Sequence, residues 1–442
     1  MYLQDFSDKS PLLVSRASDA NLSEDKIILP FRRYFNQFLY YNQFNRVKRF
    51  FIPLLITGAL IFSAYYFLRT YVFWEISPKA LITKFTVPQK NIKEYLPQGD
   101  ELTYPLTLPR GFNLGIFADL KGNFPRALAF DERGVLFASI PGRGKIVALP
   151  DRDGDGKADG IVEVMKGLNK PHGIAFDGSY IYVGETDKVI RAPYNSEALS
   201  AGAPQKLFDL PGGGRHFTRT IRIEGGKLYT SVGSSCDTCI EGSPFRASIL
   251  VSDLDGNNLR VFAKGLRNTV FFTFDSGGKM WGTDMGRDFL GDNLPPDEVN
   301  LIEDGKDYGW PYCYGSKVRD SKFKPGENLS YCADTTAPKF ELPAHVAPLG
   351  ITFINSDLFS GNDRGDLLVV LHGSWDSSVP VGYKIVKLSI LGESITGSEN
   401  FITGFIDDKE VLGRPVDLIF DKTGYLYISD DKSGLIYILS KR

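Results

Sequence analysis

One short unit of sequence occurs six times between residue 108 and the C-terminus, and this repetition limits the possible folds more than any other feature. Each copy contains an apolar segment that ends in Phe-Asp or a similar pair, then a turn with glycine, then a second apolar segment. Residues 124–140 and 170–185 show the pattern clearly. Each first segment has one apolar anchor residue, and the six anchors are Phe130, Phe176, Ile223, Phe274, Phe353 and Phe420.

The spacing of the anchors is that of propeller blades. Successive anchors are 46, 47, 51, 79 and 67 residues apart, and a four-stranded blade takes about 40–50 residues. The first three intervals therefore fit one blade each, whereas the last two contain insertions. A β-sandwich also has short strands, but its turns do not recur at a fixed phase. The sequence thus predicts an all-β fold, a six-bladed β-propeller over residues 108–442.

An uncharged segment near the N-terminus predicts a membrane anchor. Phe50–Leu68 contains 19 residues without a charge, and about 20 apolar residues span a bilayer as a helix. A buried core helix would have a polar face, which this segment lacks. The sequence therefore predicts a polar lead, one transmembrane signal-anchor helix, a linker and the propeller, at residues 1–49, 50–68, 69–107 and 108–442.

The charges beside this segment predict its orientation. Residues 30–49 hold five basic side chains and no acidic one, whereas residues 69–88 hold three basic and one acidic. Because the more basic flank stays in the cytoplasm, the propeller is predicted to lie on the periplasmic, extracellular or lumenal side. A cleaved signal peptide is disfavoured because the 49-residue lead is too long. The net charge of -2 argues against a nucleic-acid partner.

The residues just before each first strand predict a ligand site, because they lie at the mouth of a propeller's central channel. Across the six copies these positions are Arg126, His172, Arg219, Arg267 with Asn268, Leu349 and Arg414. Four arginines and a histidine in one small space would repel each other, so a polyanionic ligand is predicted there. The alternative is that each arginine pairs with a carboxylate of a blade and ties strands together.

Among the four histidines, His216 is the candidate catalytic base. Glycines precede it in the motif GGGRHFTRT, and it is expected to enter a strand that faces the channel. A histidine there can approach a substrate and accept a proton with a pKa of about 7. His172, His345 and His372 also lie in repeat-phased motifs, and for any single one a structural role is the default interpretation.

An acidic loop predicts a calcium site. Residues 151–159 read DRDGDGKAD, and the four carboxylates are Asp151, Asp153, Asp155 and Asp159. Oxygen ligands at this spacing suit Ca²⁺, and the ion is predicted to pin a hairpin of one blade. The loop is not an EF-hand, because Val162 stands where that motif has its bidentate Glu.

Four cysteines are too few for a disulfide scaffold but sufficient for two bridges. Cys236 and Cys239 form the motif CDTC, and Cys313 and Cys332 bracket a loop. Zinc bound by four thiolates is one interpretation, but the second pair is 19 residues apart rather than a close knuckle. In an extracytoplasmic domain two disulfides are favoured. CDTC is followed by Ile240 rather than His, so it is not a haem attachment motif.

Several longer motifs carry a resemblance to a known family. The most specific lies at 281–315, and shorter ones lie at 212–220, 235–239, 265–268, 371–375 and 413–431. Through these motifs residues 105–441 resemble the glucose/sorbosone dehydrogenases, which are quinoprotein sugar dehydrogenases, and are nearest to L-sorbosone and pyranose dehydrogenases. The resemblance implies a pyrroloquinoline quinone (PQQ) cofactor at the channel mouth, usually with Ca²⁺.

The resemblance also implies roles for individual residues. His216 would take the proton of a sugar hydroxyl while hydride moves to the quinone. Arg267 and Asn268 would hold and polarise the quinone oxygens, which stabilises the charge that develops on reduction. Arg414 would clamp a carboxylate of the cofactor. The cofactor is a tricarboxylate, the kind of anion that the repeat-phased cluster with Arg126, His172 and Arg219 predicts, so these residues join the predicted cofactor-binding set.

Further implications concern the metal, the electron acceptor and one departure from the family. Carbonyls near Asp292 and Asn293 would bind the calcium that accompanies the cofactor. After GLRN the family has Pro and then Gly, whereas residues 269–271 read TVF here, so Phe271 is expected to narrow the site. Because no haem motif is present, electrons would pass to a separate acceptor such as a quinone or a cytochrome.

Two other functions fit a six-bladed propeller. A calcium-dependent lactonase or esterase needs Glu, Asn and Asp converging on one central metal, and the phased positions here are Arg and His instead. A non-catalytic propeller that binds a partner or a glycan is compatible with the fold itself. Failure to bind PQQ would favour this last interpretation.

Overall fold

The computed structural model describes residues 53–66, 92, 105–323, 330–408 and 410–442. The chain separates into two compact units, Met1–Val72 and Phe73–Arg442. In the first unit, residues 53–66 form helix α1, and its side chains are exposed. Within the described part of the chain, no helix combines the length and the apolar character that a membrane crossing requires. The remaining residues of the predicted span lie outside the described residues, so the span stays a prediction.

The second unit is built from antiparallel β-strands, beginning with β1 (Phe112–Asp119). Blade 1 contains β2 (Leu128–Phe130), β3 (Leu136–Ile140), β4 (Lys145–Leu149) and β5 (Val162–Met165), with a short 3-10 helix at Pro141–Arg143. Blade 2 contains β6 (Ile174–Asp177), β7 (Tyr180–Glu185), β8 (Lys188–Asn195), β9 (Ser200–Ala201) and β10 (Gln205–Asp209). Blade 3 contains β11 (Ile221–Glu224), β12 (Lys227–Val232), β13 (Ser248–Asp253) and β14 (Arg260–Lys264).

The last three blades include the insertions. Blade 4 contains β15 (Phe272–Phe274), β16 (Met280–Asp284) and β17 (Asp297–Ile302), then an insertion with β18 (Cys313–Tyr314), β19 (Val318–Arg319) and helix α2 (Tyr331–Asp334), and finally β20 (Phe340–Leu342). Blade 5 contains β21 (Pro348–Phe353), β22 (Leu367–Leu371), β23 (Lys384–Leu391) and β24 (Ser394–Ile402). A hairpin of β25 (Ile406–Asp407) and β26 (Glu410–Val411) precedes blade 6, which contains β27 (Pro415–Phe420), β28 (Leu426–Asp430) and β29 (Leu435–Lys441).

The six sheets confirm the prediction of an all-β, six-bladed propeller. Each anchor residue lies in the first strand of its blade, namely β2, β6, β11, β15, β21 and β27. The interval of 79 residues contains the insertion between β17 and β20, and the interval of 67 residues contains the long β23–β24 hairpin and the β25–β26 hairpin. The repeat therefore predicts the number of blades and their phase.

The ring is closed by a strand that belongs to none of the six sequence copies. β1 pairs with β29, from Phe112 opposite Lys441 to Asp119 opposite Leu435, and so becomes the outer strand of blade 6. This pairing covers the exposed edge of β29, which would otherwise offer unpaired backbone groups to other chains. The two ends of the propeller sequence are thereby joined in one sheet.

The inner strands approach each other closely at two glycines. A Cβ atom on Gly173 would lie 2.3 Å from the Ile221 nitrogen, and one on Gly350 would lie 2.8 Å from the Asp417 Cα. Only glycine allows such close backbone contact between neighbouring blades. The channel is narrow there, and polar side chains gather instead at the edge where the first strands begin.

Candidate active site

A cavity of about 240 Å³ lies between blades 3, 4 and 5. Its lining residues precede β11, β15 and β21, follow β16 and β22, or begin β17, and antiparallel pairing brings these strand ends to one edge of the propeller. The lining consists of Arg215, His216, Arg267, Asn268, Met285, Gly286, Asp288, Asp297, His345, Ala347, Trp375 and Asp376. The structure therefore brings three of the predicted site residues together, namely His216, Arg267 and Asn268.

The hydrogen bonds of His216 determine which ring nitrogen carries the proton. Nδ1 lies 2.9 Å from the Ser234 carbonyl oxygen and 2.8 Å from Ser234 Oγ. That Oγ donates its own proton to the Cys236 carbonyl at 2.8 Å, so both neighbours of Nδ1 act as acceptors and Nδ1 carries the proton. Nε2 therefore keeps its lone pair. Burial and the nearby Arg267 lower the pKa of His216 to about 3, so the ring is neutral at pH 7.

Two buried arginines hold the loop that carries His216. Arg219 donates to the carbonyl of His216 at 3.0 Å, and Arg246 donates to the carbonyls of Gly212 and Gly213 at 2.6 and 2.9 Å. Arg219 is completely buried and is not among the residues that line the cavity. Arg246 lies outside the repeat-phased positions, so the sequence pattern gave no sign of this role.

Two glycines permit the close packing behind His216. A Cβ on Gly233 would lie 2.6 Å from Asn268 Oδ1 and 2.7 Å from the Cβ of His216. Gly214 has a φ of +82°, and a Cβ there would lie 2.7 Å from the Ser235 Cα. The backbone must therefore lack side chains at both positions for His216 and Asn268 to lie side by side.

Arg267 is held by carboxylates. Its Nε donates to the Asp237 carbonyl at 2.9 Å and its Nη2 to Asp237 Oδ1 at 2.7 Å, while Asp288 Oδ2 lies 3.8 Å away. Burial would raise the pKa of Asp237, but Arg267 overcomes this effect and lowers it. Burial raises the pKa of Asp288 to about 7 against the opposing effect of Arg267. The charge of Arg267 is thus balanced mainly by Asp237.

Asp284 fixes the backbone turn that presents Arg267 and Asn268. Its carboxylate accepts the N–H groups of Arg267 at 2.9 Å and Asn268 at 2.7 Å, and the hydroxyl of Thr269 at 3.0 Å. Burial raises the pKa of Asp284 to about 7, although these hydrogen bonds oppose the shift. Both cavity residues are therefore oriented before any ligand arrives.

Blades 4 and 5 supply a second polar wall. His345 Nδ1 lies 3.0 Å from Asp376 Oδ1, and the rings of Trp375 and Phe289 meet edge to face at 5.4 Å. Asp297 accepts the backbone N–H groups of Gly286 and Ala347 at 2.8 and 2.9 Å, which ties the two blades together. The repeat pattern did not indicate the acidic residues of the cavity, although Asp288 and Asp297 lie within the long 281–315 motif.

Three other channel residues form a closed ion triad, composed of Arg126, His372 and Asp431. Arg126 Nη1 donates to Asp431 Oδ2, and His372 Nε2 lies 2.9 Å from Asp431 Oδ1. Burial alone would raise the pKa of Asp431, but His372 and Arg126 hold it well below its usual range. The pairing of Arg126 with a carboxylate matches the alternative interpretation of the mouth arginines.

The remaining mouth residues also have protein partners. His172 is completely buried, with Nδ1 at 3.1 Å from Thr220 Oγ1 and its ring centroid 5.1 Å from that of Phe271. Phe271 is itself buried in the hydrophobic core and does not line the cavity. Arg414 donates to the carbonyl of Ser374 at 3.1 Å and to the hydroxyl of Tyr383 at 3.0 Å. The structure does not bring Arg126, His172, Arg219 or Arg414 to the cavity lining.

The acidic loop brings three of its four predicted ligands together. Asp151, Asp153 and Asp155 each offer a carboxylate oxygen, and these atoms lie within 4.8 Å of one another. Asp159 instead accepts the backbone N–H of Arg152 at 2.8 Å. The spacing of the first three oxygens suits a hard cation such as Ca²⁺.

The second predicted metal position lies beside the cavity. Asp292 and Asn293 are exposed and are not lining residues. Asp292 Oδ1 accepts the backbone N–H of Ser378 at 2.9 Å, and the neighbouring Gly291 carbonyl lies 2.7 Å from His345 Nε2. The loop is therefore fixed to blade 5 next to the polar wall.

All four cysteines are paired, as the prediction of two disulfides requires. The bridges are Cys236–Cys239 and Cys313–Cys332, and no cysteine is free. The first bridge flanks Asp237, which holds Arg267. It therefore belongs to the structure that supports the cavity, and four-thiolate zinc binding is excluded in this state.

Comparisons with known proteins agree with this architecture. The profile of the TrAA12-like family matches residues 106–442. An uncharacterized protein of Borreliella burgdorferi is 31% identical over 359 residues, which cover 76% of this chain and 91% of that protein. A protein of Coprinopsis cinerea described as a pyrroloquinoline quinone-dependent pyranose dehydrogenase is 26% identical over 417 residues. That alignment covers 78% of this chain but only 56% of the fungal protein.

A solved structure supports the fold in the same way. The holo form of the pyranose dehydrogenase PQQ domain from Coprinopsis cinerea aligns with a TM-score of 0.67 and 24% identity. The alignment covers 78% of this chain and 99% of that domain. The propeller described above thus has the architecture of a domain that binds PQQ in another protein.

Proposed function

This chain belongs to the TrAA12-like family, and from that premise we propose that it is a PQQ-dependent dehydrogenase that oxidises a sugar or a sugar aldehyde. The observation that carries the proposal is the neutral His216, which lines the cavity beside Arg267 and Asn268 with a lone pair on Nε2. The fungal relative described as a PQQ-dependent pyranose dehydrogenase supports the same cofactor and substrate class.

The donor set of the cavity fits a quinone that carries carboxylates. Arg215, Arg267 and Asn268 line the cavity with N–H donors, which are the groups that bind carboxylate and quinone oxygens. We assign the binding of PQQ to these three residues. Arg126, His172, Arg219 and Arg414 are omitted from this set because they do not line the cavity. When bound, PQQ accepts a hydride from the sugar carbon that is oxidised.

His216 is assigned as the general base. Its Nδ1–H remains on Ser234, so Nε2 is the atom that takes the proton of the sugar hydroxyl. In the free protein its pKa of about 3 is low for this task. A bound polyanion raises the pKa of a neighbouring histidine because it stabilises the imidazolium. Cofactor binding is therefore expected to activate the base.

Arg267 and Asn268 are assigned to stabilise negative charge that develops during the reaction. Asp237 fixes the guanidinium of Arg267, and Asp284 fixes the backbone of both residues. Donors that are oriented in advance stabilise developing charge without reorganisation. The burial of Arg267, which is 3% exposed, strengthens this interaction.

The proposal includes a membrane anchor and an external acceptor. The uncharged segment 50–68 and the basic residues before it support an anchored protein with a cytoplasmic N-terminus and an extracytoplasmic propeller. Two disulfides support an oxidising compartment. Since CDTC does not fit a haem attachment motif, we assign electron transfer to a separate quinone or cytochrome.

Calcium is proposed at two positions with different roles. The carboxylates of Asp151, Asp153 and Asp155 support a structural ion in blade 1. Carbonyls around Asp292 and Asn293 are proposed for the ion that accompanies the cofactor. The proximity of this loop to the polar wall supports the second position.

Titration of the full chain with PQQ in the presence of Ca²⁺ tests the proposed function. The bound quinone spectrum and dye reduction would be followed with a panel of aldoses and sorbosone. Saturable binding with turnover is expected, and both should weaken in Arg267→Ala. Absence of binding at high PQQ concentration would overturn the proposal and favour a hydrolytic or partner-binding propeller.

A further inference from the structure

One buried oxygen atom of the cavity wall has no hydrogen-bond donor in the described part of the chain. Asp376 follows β22 of blade 5, and its side chain is 2% exposed. Its Oδ1 is engaged by His345 Nδ1 at 3.0 Å, but Oδ2 has no partner among the described residues. Because unpaired buried carboxylate oxygens are energetically costly, this atom indicates a donor that arrives with a ligand.

His345 cannot turn to satisfy that oxygen. Its Nε2 lies 2.7 Å from the Gly291 carbonyl and its Nδ1 lies 3.0 Å from Asp376 Oδ1. Both neighbours are acceptors only, so both ring nitrogens donate and the ring is an imidazolium. Although burial alone would lower the pKa of His345, the bond to Asp376 raises it to about 9. The charge of Asp376 is therefore already balanced.

The arginines of the cavity are also engaged elsewhere. Arg215 Nη2 lies 3.3 Å from Asp288 Oδ2, and Arg267 is bound to Asp237. A metal ion is a poor occupant because it needs several oxygen ligands. Among the described residues, the groups of three acidic or thiol side chains close enough to bind a metal do not include Asp376. A neutral hydroxyl donor fits Oδ2 best.

We propose that Asp376 Oδ2 accepts a hydrogen bond from a hydroxyl of the sugar ring and makes the site specific for polyhydroxylated sugars. The inference deepens the proposed function and rests on it for the nature of the substrate. The neighbouring Trp375 lines the same cavity with Arg215 over its ring at 6.0 Å, and the apolar C–H groups of a pyranose pack against aromatic side chains of this kind. One hydroxyl acceptor beside an aromatic ring discriminates a sugar from a simple alcohol or aldehyde.

The test is a thermodynamic cycle. It compares the binding of a parent sugar and its monodeoxy analogues to the unmodified protein and to Asp376→Asn. Asparagine has nearly the same shape as aspartate. When its amide oxygen accepts the hydrogen bond from His345, its amide NH₂ takes the place of Oδ2. The ligand then meets a hydrogen-bond donor instead of an acceptor. The full chain would be titrated with an aldopyranose and each monodeoxy analogue by calorimetry, with and without PQQ. Asp366→Asn is the matched control, because Asp366 is a buried aspartate of blade 5 that does not line the cavity.

We expect one deoxy analogue to bind the unmodified protein on the order of 10-fold more weakly than the parent sugar. Asp376→Asn should weaken the parent sugar by a similar factor and abolish the discrimination against that analogue. The affinity for PQQ should be unchanged. Asp366→Asn should behave like the unmodified protein.

Three results would overturn the inference: equal discrimination in Asp376→Asn, weakened PQQ affinity in that variant, or no binding of any sugar in the set. Failure of the proposed function has a different signature. In that case neither PQQ binding nor turnover is seen, while the cycle with sugars alone still reports whether Asp376 recognises a hydroxyl.

Discussion

The cavity and the ion triad contain the same kinds of residue but use them differently. In the cavity, Nδ1 of His216 is bound to Ser234, which leaves the lone pair on Nε2, and the carboxylate next to Arg267 comes from Asp237. In the triad, His372 and Arg126 share the single carboxylate of Asp431. Burial lowers the pKa of both histidines, so exposure to solvent does not distinguish them.

The difference teaches that repeat phase alone does not make a residue functional. We infer that a residue of this region can react with a ligand only where its neighbours balance its charge and one of its atoms keeps a lone pair toward the cavity. His216 meets this condition because Ser234 engages Nδ1 alone. His372 does not meet it, because its Nε2 is bound to Asp431 and the residue does not line the cavity.

Replacement of the two histidines should break the comparison most strongly. His216→Ala should lower sugar turnover on the order of 10²–10⁴-fold, since it removes the general base, while PQQ affinity changes little. His372→Ala should retain most of the turnover. Steady-state dye reduction at saturating PQQ measures both, and equal losses in the two variants would contradict the distinction.

Removal of the triad carboxylate should mainly cost stability. Asp431→Ala leaves Arg126 partly buried without its partner, which should lower the free energy of unfolding by about 3 kcal/mol. Asp288→Ala in the cavity should cost less, because the raised pKa of Asp288 shows that its charge is poorly stabilised there. Urea unfolding at pH 7 measures both changes. A larger loss in Asp288→Ala would reverse the roles of the two regions.

The pH dependence of stability should have opposite signs in the two regions. The pKa of Asp288 is raised to about 7, so its contribution is fully present below about pH 4 and is lost as pH rises through 7. The pKa of Asp431 is depressed, so its contribution is present above about pH 4 and is lost as pH falls further.

The variant Asp288→Asn tests the predicted sign of the pH dependence of stability at the cavity. In the unmodified protein, the Asp288 carboxyl should make the free energy of unfolding fall as the pH rises from 4 to 7, by up to about 1.4 kcal/mol per pH unit. The variant should lose that component, as measured by urea midpoints across the range. An unchanged slope would show that Asp288 is ionised throughout.

The two disulfides should also separate function from stability. Replacement of Cys236 and Cys239 by Ser should weaken PQQ binding by about tenfold, because the loop between them holds Arg267 through Asp237. Replacement of Cys313 and Cys332 should instead lower stability by about 3 kcal/mol, as expected for the longer loop. PQQ titration and urea unfolding of both double variants measure these two effects. Weaker PQQ binding after replacement of Cys313 and Cys332, with a stability loss after replacement of Cys236 and Cys239, would contradict the prediction.

The smallest effect is expected at the acidic loop of blade 1. Ca²⁺ should raise the Tm of the unmodified protein by about 2 °C, because the ion binds three carboxylates of one surface loop. Asp153→Asn with Asp155→Asn should abolish this increase and leave turnover unchanged. A calorimetric scan with Ca²⁺ or EDTA measures it, and an equal increase in the variant would place the ion elsewhere.

The sequence predicts the propeller well because its information is periodic. The six anchors lie in the six first strands, and the irregular intervals mark the insertions. The closing strand β1 was not predicted, since it pairs with β29 at the other end of the domain and has no copy in the repeat. The local sequence pattern does not indicate which distant segments pair with each other.

The site could be predicted only in part. His216, Arg267 and Asn268 lie in the cavity because phase determines where a backbone position falls. Phase does not determine partners, which is why Arg219 donates to backbone carbonyls and Arg126 to Asp431 instead. Those partners come from loops of neighbouring segments whose conformation is not visible in the sequence.

Anaerobic mixing of the PQQ-loaded full chain with an aldose tests the central claim most directly. A single turnover would be followed by the absorbance of the bound quinone, with C1-protonated and C1-deuterated sugar. Reduction of the quinone is expected to be slower with the deuterated sugar, much slower in His216→Ala and nearly normal in His372→Ala. No reduction by any sugar, or equal rates in the two histidine variants, would contradict it.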